Sequence, residues 1–355
     1  YSILQGLAGT ALLFLATWAL LLQPLVPASQ QYVRAALSGV EYWELSTGSR
    51  IAVRKIESKS GKDNTPIVFL HGGPGAYSVG LEQTWKAVAK LSESGGDVYF
   101  YDQAGGGMSD RLPLISRYSL DRHIADLKSF HERIGSDQVI LIGSSFGATL
   151  ASNYMARYPE DVSHVVFSGA GPMYNPDWED AADGSLESAM SSEEKSAFDA
   201  AVNKPRLIAA IVLSEINPIT AGRFLPSREA GSFFDKIAND HYMQFTVCNT
   251  ENVMTTTEGF GFWSNRMTSR SLRENTDDPK TALRKNHTPA LILRGACDYK
   301  AEAVARQYHS ILPNSSYVGY EDAGHMFYWE KPEVFVREIR KFLNSPSAPT
   351  PASGK

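Results

Sequence analysis

Short apolar runs recur along this chain, each closed by glycine or by a charge, with stretches of helical periodicity between them. "PIVFLHGG" (Pro66–Gly73), "DVYFYDQAG" (Asp97–Gly105), "QVILIGSS" (Gln138–Ser145) and "VSHVVFSGA" (Val162–Ala170) read as strands. So do "PALILRGACD" (Pro289–Asp298) and "SSYVGYEDAGH" (Ser315–His325). Leu81–Ser92, the amphipathic Tyr118–Gly135, Ala148–Pro159 and Pro332–Leu343 have helical spacing. Nearer the start, "VEYWEL" and "RIAVRKIE" flank Ser46–Ser49 and predict an antiparallel hairpin. Strands rich in Val, Ile, Leu and Phe, alternating with helices, predict an α/β class: a mostly parallel, twisted sheet buried on both faces and flanked by helices.

The alternation stops between about Gly171 and Asn286, where the chain becomes helical, irregular, acidic and aromatic. This predicts an insertion over the sheet edge, a cap at 173–286, between a first core part at 37–172 and a second at 287–344. The Pro/Ser/Ala-rich end, 345–355, predicts a disordered tail. At the other end, 1–28, the run Ile3–Leu22 carries no charge. As a helix it would span roughly 30 Å, the thickness of a bilayer core. Two readings stay open: a transmembrane anchor, which is the expectation, and a secretory signal, because Val26-Pro27-Ala28 resembles a small-residue cleavage site. The first makes the protein membrane-anchored, the second exported. Without either role the chain would be cytoplasmic.

Composition narrows the partners. The 355 residues are 43% hydrophobic and 21% charged, an ordinary globular balance able to bury a large core. The net charge of −5 and the lack of a basic run argue against a nucleic-acid partner. Cys248 and Cys297 stand far apart, with neither a disulfide framework nor zinc-ligand spacing, so no metal is expected.

Chemistry enters at Gly143-Ser144-Ser145-Phe146-Gly147, which fits G-x-S-x-G with a strand before it and a helix after it. In such an elbow the central residue takes a strained backbone conformation, and residues two before and two after must be very small. Ser145 is then the exposed nucleophile and Ser144 packs inward. A serine needs a base. Of the eight histidines, His325 lies on a loop between the last strand and the last helix, where a base can reach over the sheet edge. His287 precedes the strand that should carry the acid, and His309 sits in a helical pattern. Asp298 ends the preceding strand and is placed to orient His325. Oxyanion donors are expected from the backbone N–H of Phe146 and from Gly73 in "HGGPG". His71 reads as a structural hydrogen-bonding residue.

Together "HGGPG", "YDQAGGGMSD", "GSSFGA", "RGACD" and "AGHMFYWEKPEVF" resemble the α/β-hydrolase fold and, within it, the proline iminopeptidase-like serine peptidases, over roughly Val40–Leu343. The resemblance implies release of an N-terminal residue, often proline, from short peptides, with no cofactor. It also implies cap glutamates that hold the substrate amine. There this chain departs: Ala104 stands where the family usually has Arg, and "ANDHYMQF" puts Asn239 at a glutamate position, with Asp240 beside it. Asn239 and Asp240 are therefore the substrate-binding candidates, and Asp177–Asp180 a distant one. The expected function is a serine hydrolase cleaving a small amide or peptide bond through an acyl-enzyme. An amidase or carboxylesterase of other specificity, and a catalytically silent binding protein, are the alternatives.

Overall fold

The computed structural model describes residues 2–31, 36–60, 64–178, 184–255 and 259–345. The expected tail at 346–355, and Glu179 and Asp180 of the distant candidate, lie outside them. An eight-stranded sheet runs in the order β1-β2-β4-β3-β5-β6-β7-β8. Its strands are β1 (Glu41–Glu44), β2 (Arg50–Ile56), β3 (Ile67–Leu70), β4 (Val98–Tyr101), β5 (Val139–Ser144), β6 (Val162–Ser168), β7 (Ala290–Gly295) and β8 (Ser315–Tyr320). β1 and β2 form the predicted hairpin, and β2 also pairs antiparallel with β4. Every later pairing is parallel. β3, β4 and β5 are buried at every position, as continuous apolar runs in the middle of a covered sheet should be.

The helices, α1 (Ser2–Thr17), α2 (Glu82–Ala89), α3 (Leu120–Ile134) and α4 (Phe146–Arg157), follow the sequence pattern closely after the first. α3 begins at Ser119, whose hydroxyl accepts from the Arg122 N–H, and stops at Gly135, where φ is 78°. Between β6 and β7 the chain leaves the sheet and builds a helical layer, here called the cap: α5 (Ser192–Val202), α6 (Pro205–Ile216), α7 (Pro218–Phe224), α8 (Ser227–Ile237), α9 (Phe262–Arg273) and α10 (Lys280–Leu283). It has its own apolar cluster, including Phe198, Leu207, Leu225, Phe233 and Trp263. α11 (Glu302–Ile311), α12 (Phe327–Glu330) and α13 (Pro332–Leu343) complete the fold.

Two expectations are corrected. Among the described residues no helix is long and apolar enough to cross a membrane. α1 has 16 residues and passes into a wider π-helical turn at Trp18–Leu22. The segment then docks on the cap. Arg206 Nη1 donates to the Leu21 carbonyl (2.8 Å), the Leu25 N–H donates to Glu229 Oε1 (2.8 Å), and Val26 is buried among cap side chains. Arg206 and Glu229 are themselves joined by two hydrogen bonds of 2.9 and 3.0 Å. The second correction concerns the cysteines. Cys248 of the cap and Cys297, just after β7, form a disulfide across 49 residues, with Cα atoms 5.2 Å apart.

Candidate active site

The turn from β5 into α4 places Ser145 with φ 55° and ψ −120°, the only positive φ at a non-glycine residue among those described. Its flanks explain how the chain turns so tightly. A Cβ on Gly143 would lie 2.5 Å from the Gly147 carbonyl oxygen, and one on Gly147 would collide with the Leu70 carbonyl of β3. Ser145 is 9% exposed and Ser144 is fully buried. Phe146 begins α4, so its N–H has no acceptor within its own helix.

His325 and Asp298 come together from the ends of β8 and β7. His325 Nδ1 lies 2.7 Å from Asp298 Oδ1, with both side chains buried. Space for the pair comes from Gly169, just past β6, whose φ is 52°. A Cβ there would lie 3.0 Å from His325 Nδ1 and 3.3 Å from Asp298 Oδ2. Ser145, His325 and Gly73 line one cavity of about 390 Å³ between sheet and cap, with Phe234, Tyr242 and Phe260 among its apolar walls.

The loop carrying Gly73 is held from below. His71 Nδ1 donates to the Gly72 carbonyl (2.9 Å) and Nε2 accepts from the Gln103 N–H (2.9 Å). This is the structural role expected of it. Full burial, against the nearby charge of Asp102, keeps the ring below the usual histidine value and so neutral. Asp102 accepts from the N–H groups of Ser78, Val79 and Met108 at 2.7–2.9 Å. The start of α9 is stitched to the same loops: Gly261 N–H donates to Gly75 (2.8 Å), Gly107 N–H to Gly259 (2.7 Å), and Asn265 Nδ2 to Pro74 (2.9 Å). The aromatic stretch near Gly259 is thus a packed wall.

The substrate-binding candidates fall elsewhere. Asn239 Nδ2 donates to the Asp235 carbonyl in its own helix (2.9 Å), and Asp240 pairs with Lys236 on the exposed face (2.9 Å). Neither lines the cavity. The charged side chains that do, besides the histidines, are Glu187 and Lys300. Tyr299 also lines it, with its ring centroid 4.5 Å from that of His325 and its hydroxyl 3.4 Å from Nε2. Burial, with Asp298 beside it, raises the Tyr299 phenol and keeps it protonated. Sequence reasoning missed Glu187, Tyr299 and Lys300; only the closeness of the last two to Asp298 pointed toward them. Among the described residues no group of His, Cys, Asp or Glu side chains is arranged to hold a metal ion.

Comparison with known proteins agrees with this architecture. Residues 65–332 match the family model described as alpha/beta hydrolase fold. A proline iminopeptidase of Heyndrickxia coagulans is 27% identical over 306 residues, covering 84% of this chain and 96% of the relative. Among solved structures, an esterase from Exiguobacterium antarcticum superposes with a TM-score of 0.61 at 18% identity, covering 86% of this chain and 99% of its own. The proline iminopeptidase of Mycobacterium smegmatis gives 0.54 at 19% identity, covering 85% and 97%. With this match over most of its length, the chain belongs to the alpha/beta hydrolase fold family, as a hydrolase of its proline iminopeptidase-like group.

Proposed function

We propose that the protein cleaves small amides, peptides or esters through an acyl-enzyme on Ser145. Ser145 Oγ attacks the carbonyl carbon while His325 Nε2 takes its proton. Asp298 fixes the imidazole with its proton on Nδ1 and stabilises the imidazolium that forms. The tetrahedral oxyanion is held by the N–H groups of Gly73 and Phe146. His325 returns its proton to the leaving group, and water then repeats the sequence to release the acid. The observation that carries this reading is the left-handed backbone of Ser145 at the mouth of a cavity shared with the Asp298–His325 pair. Such strain, about 1–3 kcal/mol, persists only where the surroundings impose it. A fluorophosphonate probe should label the protein at Ser145, and Ser145→Ala should abolish both labelling and turnover. Labelling that survives in the variant would overturn the assignment.

A free-amine requirement is the second reading, favoured by the relatives named proline iminopeptidase. With Asn239 and Asp240 outside the cavity, Glu187 is the carboxylate able to meet a substrate ammonium there. Prolyl and alanyl anilides should then be cleaved at least tenfold faster than their N-acetylated forms, and Glu187→Gln should narrow that gap. Equal rates on free and blocked substrates would leave an amidase or esterase.

A further inference from the structure

The cation in the cavity has no explanation in the chemistry above. Lys300 follows Asp298 by two residues, and its own N–H donates to Asp298 Oδ1 (2.9 Å). Its carbonyl accepts from Arg294 Nη2 (3.2 Å). The main chain of Lys300 is therefore fixed to the group that orients His325. Its ammonium is different: among the described residues no hydrogen bond or ion pair engages it, and its contact is with the Tyr299 ring, 5.1 Å from the centroid. Asp298, whose charge acts on the ammonium, is already bonded to His325.

A lysine side chain is long enough to lift its charge into water when nothing else holds it. Here it lines the cavity instead. Burial pulls the ammonium below the usual lysine value, partly opposed by Asp298. Lys300 is half-buried, and an ammonium at a cavity wall with no ion-pair partner among the described residues is placed to receive an anion. Among the described residues that line the cavity, Glu187 is the one carboxylate. Glu187 belongs to a separate short helical turn, Leu186–Ala189, and makes no ion pair with Lys300 among the described residues.

We propose that Lys300 is a specificity determinant that recognises a carboxylate on the substrate, carried near the scissile amide or ester. A single ammonium is a point charge suited to one carboxylate, and it lacks the forked donors that favour phosphate. This rests on the Ser145 reading for the site of cleavage. Lys300 touches substrate and not the reacting atoms, so its effect belongs in KM more than in kcat.

The test uses p-nitrophenyl hemi-esters of succinic, glutaric and adipic acids against the same compounds with the free acid capped as a methyl ester. A second series carries the carboxylate on the leaving group. In the wild type, kcat/KM should favour a charged member over its capped partner by about tenfold or more, equivalent to about 1.4 kcal/mol. Lys300→Gln should bring that ratio to about one, through KM, and Lys300→Arg should keep most of it. The ratio cancels any general loss of activity in the variant. No preference in either series, or a preference that survives Lys300→Gln, would overturn the proposal. Active sites counted with a neutral fluorophosphonate keep the two readings apart: a labelled enzyme without charge preference loses only the Lys300 proposal. An enzyme that is not labelled loses the Ser145 reading. In that case Lys300-dependent binding of monomethyl glutarate, followed by ligand-observed NMR, still decides whether Lys300 recognises a carboxylate.

Discussion

At Ser145 a strained backbone is set by its neighbours. The serine sits at φ 55° because Gly143 and Gly147 leave room for nothing larger. Gly147→Ala should therefore act at two levels. The new methyl group meets the Leu70 carbonyl of β3, and relieving that overlap costs about 1–3 kcal/mol. The same shift moves the elbow, so fluorophosphonate labelling should slow sharply even in molecules that remain folded. Urea unfolding and labelling rate, measured on one preparation, read both effects. Wild-type stability in the Gly147→Ala variant would mean that the elbow is less confined than these contacts require.

Between elements, the cap and the two loops that carry Asp298 and His325 form one joint. Glu330, at the end of α12, accepts from the N–H groups of Cys248 (2.8 Å) and Asn249 (3.0 Å) through Oε1, and from Gly324 (2.5 Å) through Oε2. Met326 N–H donates to the Thr246 carbonyl (2.9 Å). Glu330→Ala would leave these N–H groups without their acceptor, at about 1–3 kcal/mol for each that stays buried. It would also free the residue preceding His325. Lower stability together with a fall in kcat is expected, and Glu330→Gln should recover part of both. A variant that loses stability but keeps kcat would confine Glu330 to a structural part. None of this joint is visible in the sequence. The parallel sheet, the elbow and the late order of Asp298 and His325 could be read because each rests on local signals: apolar periodicity, flanking glycines, the loop after a strand. Glu330 meets Cys248 and Asn249 across about 80 residues of chain and carries no local signature, and Glu187 reaches the cavity from the irregular cap, where periodicity says nothing about which side chains face inward. Asn239 and Asp240 were named by resemblance, but their helix turns both away from the cavity. The cysteine pair escaped because spacing alone says nothing about contact across 49 residues.

For the whole molecule, buried histidines couple stability to pH. Desolvation holds the buried His71 and His123 and the half-buried His164 below the usual histidine value, His123 at about 3. The charge of Arg122, and that of His71 once it is protonated, add to the effect at His123. In the unfolded chain these rings titrate near 6.5. Above that pH both states are neutral and the contribution is complete. Below it the unfolded chain takes up protons that the folded protein refuses, so stability falls as pH falls, and for His123 the loss continues to about pH 3. For His123 the slope is at most about 1.4 kcal/mol per pH unit. Urea midpoints should decline between pH 6.5 and 4.5, before most carboxylates titrate, and His123→Phe should flatten the decline. An unchanged midpoint across that range would contradict these burial effects. The Cys248–Cys297 bridge works on another axis. Closing a loop of 49 residues restrains the unfolded chain by up to about 4 kcal/mol, and Cys297→Ser should reveal that loss in a urea melt. The bridge also fastens the cap to the loop that carries Asp298. A thiol reductant should thus leave the sheet in place while freeing the cap from the end of β7, so that the firmness of that joint follows the redox state of the surroundings.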